Sequence, residues 1–148
     1  MMRSSWVSVL QVFATWQNLY FSPAQMADPA ISGLNSDADG DGISNQAEWA
    51  LGLNPLVPDL GTGLTTSMAM DSGSGPYLTV QFRRSLGITP ATFELDTASD
   101  VGTWTTNGVT LGLVTNGDGT ATITMRDTVP VSDGTPPQRF VRLRITGN

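Results

Sequence analysis

The sequence predicts an α+β fold: short amino-terminal helices carrying an acidic loop, followed by an antiparallel β-sandwich. Three observations predict it. Aromatic and aliphatic residues recur at three- and four-residue spacing through the first twenty positions. Asp then stands at every second position from Asp37 to Asp41, with Gly40 and Gly42 beside it, between two helical patterns. From about Leu64 onward, apolar and polar residues alternate with period two. The organisation read from these shifts is a helical segment over 1–56, a connector over 57–63 and a sandwich domain over 64–148. A chain of 148 residues is long enough to bury a real core.

In the first helix, Trp6, Val9, Leu10, Phe13, Trp16 and Tyr20 form one apolar stripe, with Gln11, Gln17 and Asn18 elsewhere. The same stretch has a second reading as a signal peptide, with Arg3 as its basic start, Trp6 to Phe13 as its apolar run and Val12-Phe13-Ala14 as its cleavage site. Ser8 and Gln11 interrupt that run and the aromatics continue beyond the cut, so helix is favoured. No stretch has the length needed to span a bilayer. Ser22 caps a second short helix, with Pro23 at its first position and Gln25 completing a capping box, and Asp28-Pro29 closes it. Ile31 to Ser36 lead into the acidic loop, and a third helix runs from about Asn45 to Leu51 and stops at Gly52. Trp49 and Leu51 are expected to pack this helix on the aromatic stripe.

Residues Asp37 to Glu48 match D-x-[DN]-x-[DN]-G-x₅-E at every specified position. The chemistry behind that spacing is the demand of Ca²⁺, a hard cation, for six to eight oxygens. Asp37, Asp39 and Asp41 at positions 1, 3 and 5 can aim carboxylates at one point, and Gly42 permits the sharp turn. Ile43 offers its backbone carbonyl, Asn45 a side-chain oxygen directly or through water, and Glu48 a bidentate carboxylate. The competing description, a solvated acidic loop, does not require the distant Glu48.

Asn54 to Gly63 is rich in Pro, Gly and small polar residues and reads as the connector. Beyond it, Leu64, Thr66, Met68 and Met70 alternate in one strand, with Asp71 to Pro76 as a hairpin loop. Leu78, Val80 and Phe82 share a face in the next strand, and Phe93 and Leu95 in the one after. Val109, Leu111 and Leu113, then Ala121, Ile123 and Met125, then Val141, Leu143 and Ile145 supply the apolar faces of three more. Such alternation implies antiparallel sheets with one wet face each.

Composition narrows the chemistry. Cys, His and Lys are absent, which removes disulfides, thiolate and imidazole catalysis and the common zinc and haem ligands. The net charge of −6 is uneven: residues 1–72 carry seven acids against Arg3, and residues 73–148 carry six acids against six arginines. An acidic chain without a basic stripe is a poor nucleic-acid binder. The clustered carboxylates are committed to the cation, and no phosphate loop or nucleophile elbow occurs, so no enzyme is expected. Asn116 to Gly119 reads as a hairpin turn in preference to a second cation site. Trp104 and Tyr77 read as core in preference to a sugar platform, and Arg83, Arg84, Arg139, Arg142 and Arg144 as a solvated strand face balanced by local acids.

Asp37 to Pro55, with its DADGDG, ISNQAE and GLNP segments, resembles the bacterial thrombospondin type 3 repeat, a calcium-binding segment of secreted and surface proteins. The preceding FATWQNLYFSPAQMADPAISG resembles the helical lead-in to such loops near the carboxyl ends of large bacterial surface proteins. An EF-hand or dockerin loop places its apolar residue at position 8, where this chain has Ser44. The resemblance implies a structural calcium held by Asp37, Asp39, Asp41, Asn45 and Glu48. The second half, through YLTVQFRR, TFELDTASDVGTWTT and RFVRLRIT, is similar to fibronectin type III and immunoglobulin-like sandwiches. It departs from them after Ile145, where too few residues remain for a last strand; either the amino-terminal hairpin closes the sandwich or an edge carrying Arg142 and Arg144 stays open.

The expectation is therefore a non-catalytic, calcium-binding structural or adhesion module of a secreted or cell-surface protein, with other surface proteins or glycans as partners. Two alternatives stand beside it: an accessory glycan-binding module, and the carboxyl-terminal fragment of a secreted hydrolase.

Overall fold

The computed structural model describes residues 13–59, 63–71, 73, 75–86, 91–131 and 138–147. The described chain begins with a helix, α1, over residues 13–20. Trp6, Val9 and Leu10 of the aromatic stripe, and most of the leader-like stretch, lie outside the described residues. What is described of the stripe packs as expected from its spacing. Phe13 and Trp16 are buried and stack at 5.5 Å, and Trp49 meets Phe13 edge-on at 5.2 Å.

Helix α2 is Pro23–Met26, with the predicted Ser22 cap and the reciprocal Gln25 bond both formed. Asp28-Pro29 does more than end α2. Asp28 caps a further short helix, α3, at Pro29–Ser32, where sequence reading expected only a lead-in. An Asp before a Pro is a start signal as well as a stop signal, because its carboxylate accepts the Ala30 N–H and Pro suits a first helical turn. Helix α4 is Asn45–Leu51, capped by Ser44 and ended by Gly52 in the left-handed conformation at φ 71°.

Seven antiparallel strands follow among the described residues: β1 Leu64–Asp71, β2 Gly75–Ser85, β3 Ala91–Ala98, β4 Thr105–Thr106, β5 Val109–Thr115, β6 Thr120–Arg126 and β7 Phe140–Gly147. They form a four-stranded sheet ordered β1-β2-β6-β5 and a three-stranded sheet ordered β4-β3-β7. The predicted inward faces meet between them: Val80, Phe82, Ala121, Ile123 and Met125 from one sheet enclose Leu95 from the other, with Val141, Leu143 and Ile145 half-buried against them. The hairpin from Asn116 to Gly119 forms, with Gly117 and Gly119 at positive φ and the Asn116 N–H donating to the Thr120 carbonyl at 2.9 Å. The apolar strand β7 stands at the edge of its sheet among the described strands, with Arg142 and Arg144 on its exposed face.

Helix α4 joins the two halves. Trp49 points into the aromatic cluster, but Leu51, expected there as well, enters the sandwich core together with Leu53. Half a turn of helix separates the two side chains, so one residue faces each cluster. The other departures concern strands. Val109, Leu111 and Leu113 were expected to be covered, and all three are exposed. Strand β5 is an edge strand, a bulge falls between Thr110 and Gly112, and the opposing sheet extends past β3 only by the two residues of β4. Strand β1 is likewise an edge, with Met68 and Met70 exposed.

Tyr77 lies in β2 and Trp104 just before β4, with Arg126 lying 4.3 Å over the first ring and Arg142 lying 4.4 Å over the second. Trp104 is half-buried on the surface, not in the core as expected. Of the arginines, Arg83, Arg142 and Arg144 do sit on solvated faces against Asp118, Asp96 and Glu94. Arg139 departs from that pattern, making a buried bidentate pair with Asp127 at 2.7 and 3.1 Å.

Candidate metal centre

The acidic loop folds first around its own backbone. Asp37 accepts the Gly40 N–H at 2.7 Å through one oxygen and the Gly42 N–H at 2.8 Å through the other. Gly40 at φ 79° and Gly42 at φ 94° take left-handed conformations that an L side chain rarely adopts. Asp39 accepts the Asp41 N–H at 3.1 Å, and Asp41 accepts the Ile43 N–H at 2.7 Å. These Asx turns reverse the chain and leave carboxylate lone pairs directed inward. The loop is tied to the helices before it by the Asn45 N–H on the Ser36 carbonyl and the Gln46 N–H on the Leu34 carbonyl.

Two triads of carboxylate oxygens result. One oxygen each from Asp37, Asp39 and Asp41 lie within 4.8 Å of one another, and so do one each from Asp41, Glu48 and Asp59. Asp41 belongs to both, which makes a continuous cluster of five carboxylates drawn from the loop, helix α4 and the connector. Asp59 is the member that sequence reading missed. Its N–H donates to Asp41 at 2.7 Å across eighteen residues of chain. The available signal was the one charged residue in a connector otherwise made of apolar, Pro, Gly and small polar residues.

The burial of Glu48, beside four acids that are half-buried or exposed, is what sets this cluster apart from a wholly solvated acidic loop. Glu48 is fully buried and neither of its carboxylate oxygens has a hydrogen-bond partner among the described residues. Asp39 Oδ2 and Asn45 Oδ1 are buried in the same condition. Burial first, and then the charges of Asp39, Asp41, Asp59 and Asp37, push the Glu48 carboxyl up to about 8. Burial likewise raises Asp39, whereas the Gly42 and Gly40 N–H groups hold Asp37 below its ordinary value.

A buried carboxylate without a donor costs several kcal/mol, roughly, unless a counter-charge faces it. The donor set here is oxygen only, which suits a hard divalent cation and offers nothing to a soft one. Asp37, Asp39, Asp41, Glu48 and Asp59 are placed to supply carboxylates. Asn45 is more constrained than its loop position suggests. Its amide nitrogen donates to the Ile31 and Gly33 carbonyls, both at 2.8 Å, so only Oδ1 is left for an ion or a bridging water. Ile43 sits in the loop with its N–H held by Asp41 and its side chain against the sandwich core.

No protein-family model, characterised protein or solved structure matches the chain. The fold and the site together define an α+β protein with two antiparallel sheets and a cluster of carboxylates, Glu48 buried among them, at the junction of its halves. Among the described residues, no helix is long and apolar enough to cross a membrane.

Proposed function

We propose that the chain is a non-catalytic, calcium-binding structural module of a secreted or cell-surface protein, in which the ion fastens the acidic loop, helix α4 and the connector to the β-sandwich. The observation that carries this reading is Glu48, fully buried beside Asp39, Asp41 and Asp59 with no donor on either oxygen. Calcium would be held by Asp37, Asp39, Asp41, Glu48 and Asp59, with the Ile43 carbonyl and Asn45 Oδ1 completing an oxygen shell. The ion would supply charge neutralisation and cross-linking and no chemistry of its own. Because Leu51 and Leu53 follow Glu48 within one helical turn and its cap, fixing Glu48 also fixes the residues that enter the sandwich core.

The loop geometry, with Gly42 at positive φ and a helix leaving from Asn45, supports an EF-hand-like loop of the thrombospondin type 3 kind. A sheet of the first, second, sixth and fifth strands facing one with the third and seventh supports a fibronectin III- or immunoglobulin-like sandwich. Glycan binding has less support, since Tyr77 is buried and each of the two candidate aromatics has an arginine over its face.

Extracellular calcium modules bind at about 10⁻⁴ to 10⁻³ M. Calorimetric titration of calcium should show binding in that range for the parent protein and none for the Asp37→Ala/Asp41→Ala double variant. A parent protein that takes up no calcium at millimolar concentration contradicts the proposal.

A further inference from the structure

Register places Arg84 where a core residue belongs. Val80 pairs with Met125, Phe82 with Ile123 and Arg84 with Ala121, so Arg84 continues the inward face of β2. Strand β2 lies inside its sheet, between β1 and β6, so an inward charge there is not a device for protecting an edge. The other arginines of the described sandwich each have a carboxylate partner, and Arg84 has none among the described residues. Its Nε is buried with no acceptor, and its guanidinium lies 5.1 Å over the Phe93 ring.

The same guanidinium borders an open cavity of about 320 Å³ between the two sheets, lined by Phe82, Phe93, Leu113, Ile123 and Met125 together with Thr92 and Thr110. Strand β5, which lines the cavity through Thr110 and Leu113, is the edge of its sheet among the described strands. Leu113 shows the consequence: it pairs with the core residue Ile123, yet it is 51 % exposed.

We propose that this cleft binds a small amphiphilic carboxylate, its head on the Arg84 guanidinium and its apolar body between Phe93 and the Leu113–Ile123–Met125 wall. A planar fork without an acid matches a carboxylate bidentately, and the apolar lining sets the class of the remainder. The volume is at the lower end of ligand pockets, roughly 300 to 1,000 Å³, which suits a body of about eight carbons. This inference is independent of the cation centre, with which the cleft shares no residue.

Octanoate is the probe, with octanol as its uncharged counterpart, followed by the methyl NMR signals of Leu113, Ile123 and Met125. Millimolar octanoate should shift those signals in the intact chain. Arg84→Met should weaken octanoate about tenfold or more and leave octanol binding unchanged, because a charge-assisted bond is lost while the apolar stem is kept. Leu113→Trp, a change at an exposed edge position that keeps the protein foldable, should fill the cleft and abolish both. Unmoved methyl signals, undiminished octanoate binding by Arg84→Met, or undiminished binding by Leu113→Trp would each overturn the proposal.

Discussion

Glu48 and Asp96 are both buried carboxylates, and their surroundings drive them in opposite directions. The Thr106 hydroxyl, then the Arg144 and Arg142 guanidinium groups, bring Asp96 down to about 2, while burial among other acids takes Glu48 up to about 8. The signs of their pH effects follow. For Glu48 the folded state without calcium holds its proton after the unfolded chain has lost it, so calcium-free stability should fall as pH rises from about 4.5 to about 8. Thermal melts in chelator across that window should show the slope, and Glu48→Gln should flatten it while abolishing stabilisation by calcium. For Asp96 the contribution is present above its ordinary pKa of 3.8 and is lost as pH falls towards about 2; Asp96→Asn should remove that acid-side loss. The sequence made Asp37, Asp39, Asp41 and Glu48 legible because one short loop holds them all at fixed spacing. Asp59 was not legible, because its approach to Asp41 depends on where the connector returns after α4. Its carboxylate is the test of that return: Asp59→Asn should weaken calcium about tenfold in a titration, at roughly 1.4 kcal/mol per tenfold, while the melting temperature in chelator does not fall.

Among the elements, α4 carries the largest structural load for its seven residues, since its side chains enter both apolar clusters. Leu51→Ala should cost about 2 to 5 kcal/mol in urea denaturation, the usual range for emptying a core leucine site. Its stop is equally constrained. Gly52 has φ 71°, and an added Cβ would come within 2.9 Å of the Thr120 methyl on β6, so Gly52→Ala should be destabilising by about 1 to 3 kcal/mol. Helix boundaries of this kind were legible, because Gly52 and the Ser22-Pro23-Gln25 box act through local hydrogen bonds and φ preferences. Strand faces were legible where both sheets cover them, as on β2, β3 and β6. They were not on β5, where the bulge between Thr110 and Gly112 sets Val109 opposite Arg126 but Leu113 opposite the inward Ile123, so the alternation in the sequence does not mark one face. Period two reports which side chains share a face only while the ladder is unbroken, and a bulge shifts it by one.

At the scale of the whole molecule, charge and architecture coincide. The acids in excess lie in the first half, five of them meet in one cluster, and that cluster sits where the loop, helix and connector enter the sandwich. Residues 73–148 are charge-neutral, and the sandwich is held by its own pairs, including the buried Asp127–Arg139 bridge, which ties the segments after β6 and before β7. A sequence discloses such balance in its counts but not which acid meets which arginine, since Arg84 and Arg139 sit in similar surroundings by composition and opposite ones by contact. If one calcium ion unites the halves, its linkage at millimolar concentration should stabilise folding by roughly 0.4 to 1.4 kcal/mol. The most direct measurement is a calorimetric melt of the intact chain in millimolar calcium and again in chelator. The account predicts one transition in calcium, higher by about 1 to 5 °C than in chelator, and no difference for Glu48→Gln. Superimposable melts of the parent protein in the two buffers would contradict it.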